Sequence, residues 1–160
     1  MSVNFLLLCV FLRLVPAASA FELSRWMGAW REIAHIPNRP QAGCAGTTVH
    51  YRLDGRGGFE LTNTCWKGDS FKEYRGHASP TAAPDVFRAR FFFFLRSDYW
   101  IVEHDPEYRW AAVGTPDRRQ LWIIARDAPL NEAAYSGLVE AARAKGFPVE
   151  KLERTRPAAR

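Results

Sequence analysis

The chain has 160 residues, 48% of them hydrophobic, and a formal net charge of +5, which is enough for one domain with a real core and too little for two. The basic residues form short runs such as Arg118-Arg119, mixed with acids and prolines, so nucleic acid binding is not indicated. No segment after residue 20 is apolar enough to span a bilayer.

The first twenty residues are typical of a secretion signal. An apolar run, Phe5–Leu12, precedes Ala18-Ser19-Ala20, a small-x-small cleavage site, while Arg13 splits a stretch already too short for a membrane anchor. Cleavage after Ala20 leaves residues 21–160 as one domain with a net charge of +4, because Arg13 is the only charged residue lost. Cys9 follows Leu8, which is not the small residue that a lipoprotein site needs, so we predict a periplasmic or secreted protein without a lipid anchor.

Cys44 and Cys65 remain after cleavage, and a cysteine pair in an exported protein usually forms a disulfide. The glycine-rich turn 54–58 joins two predicted strands, and counting outward from it places Cys44 roughly opposite Cys65. Neither cysteine lies in a CxxC or near a second Cys/His set. Zinc binding is therefore not expected, and no cofactor is predicted.

Short runs rich in Val, Phe, Tyr, Trp and Thr, separated by turn residues, predict an antiparallel β domain between Thr47 and Arg126. Closing such a sheet on itself covers its apolar face and removes exposed edges. The run Phe91–Phe94 breaks the alternation and predicts a bulge or a rim. The predicted strands are Thr47–Leu53, Phe59–Trp66, Lys72–Ser79, Val86–Leu95, Tyr99–Glu103, Tyr108–Val113 and Leu121–Arg126.

One helix is predicted near the end of the chain. Asn131 is a good N-cap, Leu138 and Ala142 belong to an apolar stripe, and Gly146 ends the helix. The segment Leu152–Thr155 is expected to return as a short last strand.

Three ordered segments carry a family resemblance: Gly28–Arg39 with its Gly-x-Trp, Tyr99–Gly114, and Leu121–Arg126. Together they resemble the bacterial lipocalins, a group that includes apolipoprotein D and the plant temperature-induced lipocalins, from Phe21 to about Leu152. The resemblance implies an all-β fold, an eight-stranded antiparallel up-and-down barrel with one C-terminal α-helix packed outside, closed at one end. It also implies structural roles for Gly28, for Trp30 covered by the Arg126 guanidinium, and for Asp105 and Tyr108, which hold a turn between two strands.

Strand parity then predicts which side chains face the interior of the barrel. If Arg126 lies over Trp30 at the closed end, alternation along its strand sends Trp122 and Ile124 inward. For the two strands joined by the turn 54–58, the resemblance implies which face is inward. The ligand-binding residues predicted from parity together with this resemblance are Val49, Tyr51, Leu61, Asn63, Phe87, Ala89, Phe91, Tyr99, Ile101, Trp122 and Ile124.

The resemblance implies binding and carriage of fatty acids or lysophospholipids in the bacterial cell envelope, with no catalytic residue. Arg39, Arg75 and Arg96 are candidate partners for a charged head group, and peripheral contact with membrane lipid is compatible with this function. An alternative is a thiol-dependent isomerase that uses Cys65, which shares the inward parity of Leu61 and Asn63; this needs a free thiolate. A protein-interaction module acting through the open-end loops is a further alternative, and the sequence leaves monomer and homodimer open.

Overall fold

The architecture is a β-barrel, and the computed structural model describes it for residues 21–91 and 95–157. The predicted signal, residues 1–20, and the centre of the phenylalanine run, residues 92–94, lie outside the described residues. The strands are β1 (Gly28–His35), β2 (Ala45–Leu53), β3 (Phe59–Lys67), β4 (Ser70–Pro80), β5 (Val86–Phe91), β6 (Leu95–His104), β7 (Trp110–Gly114), β8 (Leu121–Ala125) and β9 (Glu153–Arg154). Two α-helices, α1 (Leu23–Trp26) and α2 (Glu132–Ala144), and two 3-10 turns, Arg39–Gln41 and Val149–Lys151, complete it.

Strands β2 to β8 pair in chain order, each antiparallel to the next, and β1 closes the ring because it pairs with both β8 and β2. The predicted eight-stranded up-and-down barrel with an outside helix is thereby confirmed. Several strand bounds differ from those predicted. The predicted strand Val86–Leu95 ends at Phe91, and Leu95 already begins β6, whereas we expected that strand to start at Tyr99. The predicted strand Tyr108–Val113 begins only at Trp110, since Tyr108 has a left-handed backbone, φ 57°.

Two apolar layers hold the barrel. One fills its interior and includes Trp26, Phe59 and Phe87; the other lies between the outer face of the sheet and α2. In the second layer Leu138 and Ala142 pack with Val102, on β6. The α2 N-cap is the predicted Asn131, whose Oδ1 accepts a hydrogen bond from the backbone N–H of Ala134 at 2.8 Å.

The C-terminal segment completes one edge of β1. The first half of β1 pairs with β2, from Gly28 to Arg31, and its last two residues pair with β9. Just beyond, Thr155 N donates to Ile33 O at 2.9 Å and Gly46 N donates to Arg156 O at 2.7 Å. Residues 153–156 therefore bridge β1 and β2 where those two strands part.

Candidate functional site

A cavity of about 410 Å³ occupies the barrel towards the end where the 3-10 turn Arg39–Gln41 and the β7–β8 turn meet. Nine of the eleven predicted ligand-binding residues line it: Val49, Tyr51, Leu61, Asn63, Ala89, Phe91, Tyr99, Trp122 and Ile124. The wall is mainly apolar and aromatic with a few polar groups, the composition expected of a small-molecule pocket.

Phe87 and Ile101 are not among the residues that line the cavity. Both are buried in the closed half of the interior, where the Phe87 ring lies 4.9 Å from that of Phe59 and 6.0 Å from that of Phe21. Their inward direction follows from strand alternation. How deep these two side chains lie in the barrel depends on how much of the closed end is filled by the N-terminal aromatic side chains. Strand alternation gives no information about this depth.

The closed end is plugged by α1 and fastened by Arg126. Its Cζ lies 4.0 Å from the centroid of the Trp30 ring, and the guanidinium donates hydrogen bonds to the backbone carbonyls of Arg25 and Ala29 at 2.8 and 3.0 Å. Trp26 stacks on Trp30 with ring centroids 4.6 Å apart. Burial lowers the pKa of Arg126. The Arg126 cation thus lies against the hydrophobic plug and binds backbone carbonyl groups of α1 and β1.

Gly28 and the β6–β7 turn support this plug. Gly28 has φ 95°, and a Cβ there would lie 3.2 Å from Arg126 Nη1, so the position favours glycine. In the turn, Asp105 accepts hydrogen bonds from the backbone of Glu107 and Arg109 and pairs with the Arg109 side chain at 2.7 Å. The Arg109 hydrogen bonds hold the pKa of Asp105 below its usual range. The Tyr108 hydroxyl accepts from Glu22 N at 2.6 Å, which anchors the start of the domain.

A polar cluster stands at the mouth. Gln41 Oε1 accepts from Trp122 Nε1 at 2.7 Å and from Asn38 Nδ2 at 2.5 Å, while its Nε2 donates to Glu32 Oε2 at 2.5 Å. Glu32 is buried and lines the cavity. Sequence reasoning missed Glu32, Gln41 and Asn38, although a signal for one of them existed: the alternation that turns Trp30 inward also turns Glu32 inward.

The Glu32 carboxylate also contacts the C-terminal segment that bridges β1 and β2. Its Oε1 accepts from Thr155 Oγ1 at 2.5 Å and lies 2.9 Å from His35 Nδ1. The hydrogen bond to Glu32 raises the pKa of His35, against the opposing effect of burial. One buried carboxylate therefore connects the mouth of the cavity to the segment that closes the barrel.

The three candidate head-group cations occupy different positions. Arg96 lines the cavity at its rim, and its side chain is exposed. Arg39 lies in the 3-10 turn beside the mouth and is exposed. Arg75 does not line the cavity: it belongs to a surface groove that shares only Thr48 and Val49 with the cavity wall, and it pairs with Glu73 at 3.0 Å. Only Arg96 is therefore placed in the wall.

The predicted disulfide is confirmed. Cys44 and Cys65 are bonded, with Cα atoms 5.2 Å apart. Cys65 also lines the cavity, as its parity predicted, but its sulfur is held by Cys44. A thiol nucleophile at Cys65 is therefore not available in this structure.

Across residues 21–91 and 95–157, no group of three His, Cys, Asp or Glu side chains is placed to hold a metal ion. Within the same ranges, no helix has the length and apolarity to cross a membrane.

These features together define a small-molecule-binding β-barrel protein. The barrel is closed and antiparallel, its base is plugged beneath an arginine that lies over a tryptophan, and its open half holds an apolar cavity. The profile of the lipocalin-like domain matches residues 21–157. The chain belongs to the lipocalin family, so the resemblance read from its three segments is confirmed.

Relatives and solved structures agree with this assignment. The chain is 33% identical over 153 residues to temperature-induced lipocalin-1 of Arabidopsis thaliana, covering 88% of this chain and 82% of the relative. It is 31% identical over 142 residues to the outer membrane lipoprotein Blc of Escherichia coli K12, covering 86% and 80%. The fold is similar to that of lobster apocrustacyanin A1, with a TM-score of 0.72 at 16% identity, covering 85% of this chain and 79% of that one.

Proposed function

We propose that this protein binds and carries a fatty acid or a lysophospholipid in the bacterial cell envelope, without catalysis. The observation that carries the proposal is the apolar, aromatic cavity of about 410 Å³ with Arg96 at its rim. An acyl chain enters the cup and its head group stays at the mouth. There the Arg96 guanidinium offers a partner for a carboxylate or a phosphate.

The expected affinity is modest. Burying about a dozen methylenes at ~0.8 kcal/mol each yields on the order of 10 kcal/mol, and association costs roughly 4 kcal/mol or more. The difference corresponds to a Kd of roughly tens of micromolar. Such an affinity suits carriage and exchange between membranes better than permanent sequestration.

Two observations support the cellular setting and the absence of catalysis. The Cys44–Cys65 bridge fits an oxidising compartment outside the cytoplasm, and the similar protein from E. coli is an outer membrane lipoprotein. The same bridge occupies the sulfur that an isomerase would need. The similarity to Blc supports the bacterial envelope as the place where this chain binds its ligand, and this placement is part of the proposal.

The test is native mass spectrometry of protein purified from a bacterial periplasm, followed by titration with a fluorescent fatty acid. We expect a co-purified lipid in the first measurement and saturable binding in the second. Trp122→Ala, which removes a large part of the wall, should weaken binding at least tenfold, whereas Trp66→Ala on the outer face of the barrel should not change it. Absence of co-purified lipid, together with identical titrations of both variants, would overturn the proposal.

A further inference from the structure

Two tyrosines meet across the interior of the cavity. Tyr51 on β2 and Tyr99 on β6 both line it, and their hydroxyl oxygens are 2.5 Å apart. Tyr51 is 3% exposed and its ring packs edge-on against Phe59, in the closed half of the core. We call this hydroxyl pair the tyrosine floor, because below it the barrel is filled.

The tyrosine floor has more donors than acceptors to receive them. A phenolic hydroxyl donates one hydrogen bond, so the contact between Tyr51 and Tyr99 uses one of two protons. The other proton has no further acceptor among the hydrogen bonds of the described residues. Trp26, whose ring lies 5.8 Å from that of Tyr51, is fully buried, and its indole N–H is directed at the Tyr99 hydroxyl. It therefore adds a donor to this place and no acceptor.

Both hydroxyls keep their protons at neutral pH, since burial raises the pKa of Tyr51 and that of Tyr99. The tyrosine floor is therefore an uncharged donor. A buried hydrogen-bond donor without an acceptor is unfavourable in free energy. A ligand whose buried end is a hydrocarbon offers no acceptor, so this unfavourable contribution remains when it binds.

The surrounding charges decide what kind of oxygen suits the tyrosine floor. The buried charge in the wall is the Glu32 carboxylate, and Arg96 stands exposed at the rim. The described cation whose charge reaches Tyr51 is Arg126, and its guanidinium already donates to the backbone carbonyls of Arg25 and Ala29. A ligand carboxylate taken to the floor would therefore lose its hydration without a free cation to pair with, which is unfavourable. A neutral hydroxyl or carbonyl oxygen accepts a hydrogen bond there without that penalty.

We propose that the cavity selects chain ligands whose buried end carries a neutral oxygen, a hydroxyl or a carbonyl, which accepts a hydrogen bond from the tyrosine floor. This specificity rests on the proposed function, since it concerns the same cavity. The hydrogen bond at the tyrosine floor recognises the buried end of the ligand, and it is separate from any contact that the head group makes at the mouth.

The test compares three fatty acids in displacement of one fluorescent probe: palmitate, ω-hydroxypalmitate and 2-hydroxypalmitate. The second carries its hydroxyl at the chain end and the third beside the carboxylate. One neutral hydrogen bond predicts about fivefold tighter binding of ω-hydroxypalmitate than of palmitate. Because its hydroxyl stays at the mouth, 2-hydroxypalmitate should bind no tighter than palmitate.

Two variants locate the effect. In the double variant Tyr51→Phe/Tyr99→Phe the fivefold preference should fall to about one, while Tyr74→Phe, a wall tyrosine outside the hydroxyl pair, should keep it. Equal affinity of palmitate and ω-hydroxypalmitate for the native chain would overturn the inference and leave the carrier function intact. Failure of all three fatty acids to displace the probe would instead overturn the proposed function, and with it this inference.

Discussion

Gln41 and Trp122 are 81 positions apart in the chain and are joined at the cavity mouth by a hydrogen bond of 2.7 Å from the indole N–H to the amide oxygen. The bond ties the 3-10 turn after β1 to the inward-facing side chain of β8. The amide group of Gln41 reaches the buried Glu32 at the same time. Gln41 therefore holds part of the rim in place.

Removing this tie should speed ligand release. In Gln41→Ala we expect the dissociation rate of a fluorescent fatty acid to rise about threefold to tenfold, because three hydrogen bonds at the rim are lost. Stopped-flow displacement measures it. Gln120→Ala is the matched control, since Gln120 lines the same mouth but its side chain makes no hydrogen bond to the described residues. Equal rates for both variants would contradict this role of Gln41.

We expect the plug at the closed end to contribute directly to the stability of the fold and only indirectly to ligand binding. Trp30→Ala removes a fully buried ring and the partner of Arg126, so we expect a loss of about 3 to 5 kcal/mol in the free energy of unfolding. Urea denaturation followed by circular dichroism measures it. Trp66→Ala, at a partly exposed ring stacked on Phe71, should cost less than half as much. A Trp30→Ala chain as stable as Trp66→Ala would show that the plug is dispensable.

The disulfide should stabilise the fold by restricting the unfolded chain. Its cysteines are separated by 21 positions, and closing a loop of that size is worth about 3 kcal/mol in the chain-entropy estimate. Cys44→Ser/Cys65→Ser should lower the urea midpoint accordingly. Reducing agent should shift the native midpoint to that of the variant and leave the variant unchanged; a native midpoint insensitive to reduction would contradict the prediction.

The ion pair between Glu32 and His35 should make stability depend on pH. The pKa of His35 is raised in the folded state by its hydrogen bond to Glu32, so the protonated form stabilises the fold. This contribution is fully present below the unfolded pKa of about 6.5 and is lost as pH rises through the higher folded pKa. His35→Gln should flatten stability across that range, while His50→Gln, on the exposed outer face, should not. NMR titration of the His35 ring must also show the raised pKa.

The eight-stranded barrel was predicted from the resemblance of three segments, and strand alternation then predicted which side chains share a face. The observed register pairs Val49 with Asn63 and Tyr51 with Leu61, as expected for two strands joined by the turn 54–58. Alternation is a local property of the chain, so it assigns a face without long-range information. The disulfide followed from the same counting.

Depth and loop packing could not be predicted in this way. Phe87 and Ile101 face inward, but they lie below the cavity because Phe21 and Trp26 fill the closed end. Gln41 reaches Trp122 only through the path of an irregular loop, which has no periodicity to read. The end of β5 at Phe91 and the start of β6 at Leu95 were missed because an uninterrupted apolar run gives no sign of where one strand ends and the next begins.

The bridge made by residues 153–156 makes the wall of the barrel depend on a segment outside its eight strands. The wall between β1 and β2 is completed by the last described part of the chain, through Thr155 on Ile33 and Arg156 on Gly46. A substitution confined to residues 153–156 therefore acts on the opening between β1 and β2, while the pairings of β1 with β8 and of β2 with β3 are left as they are.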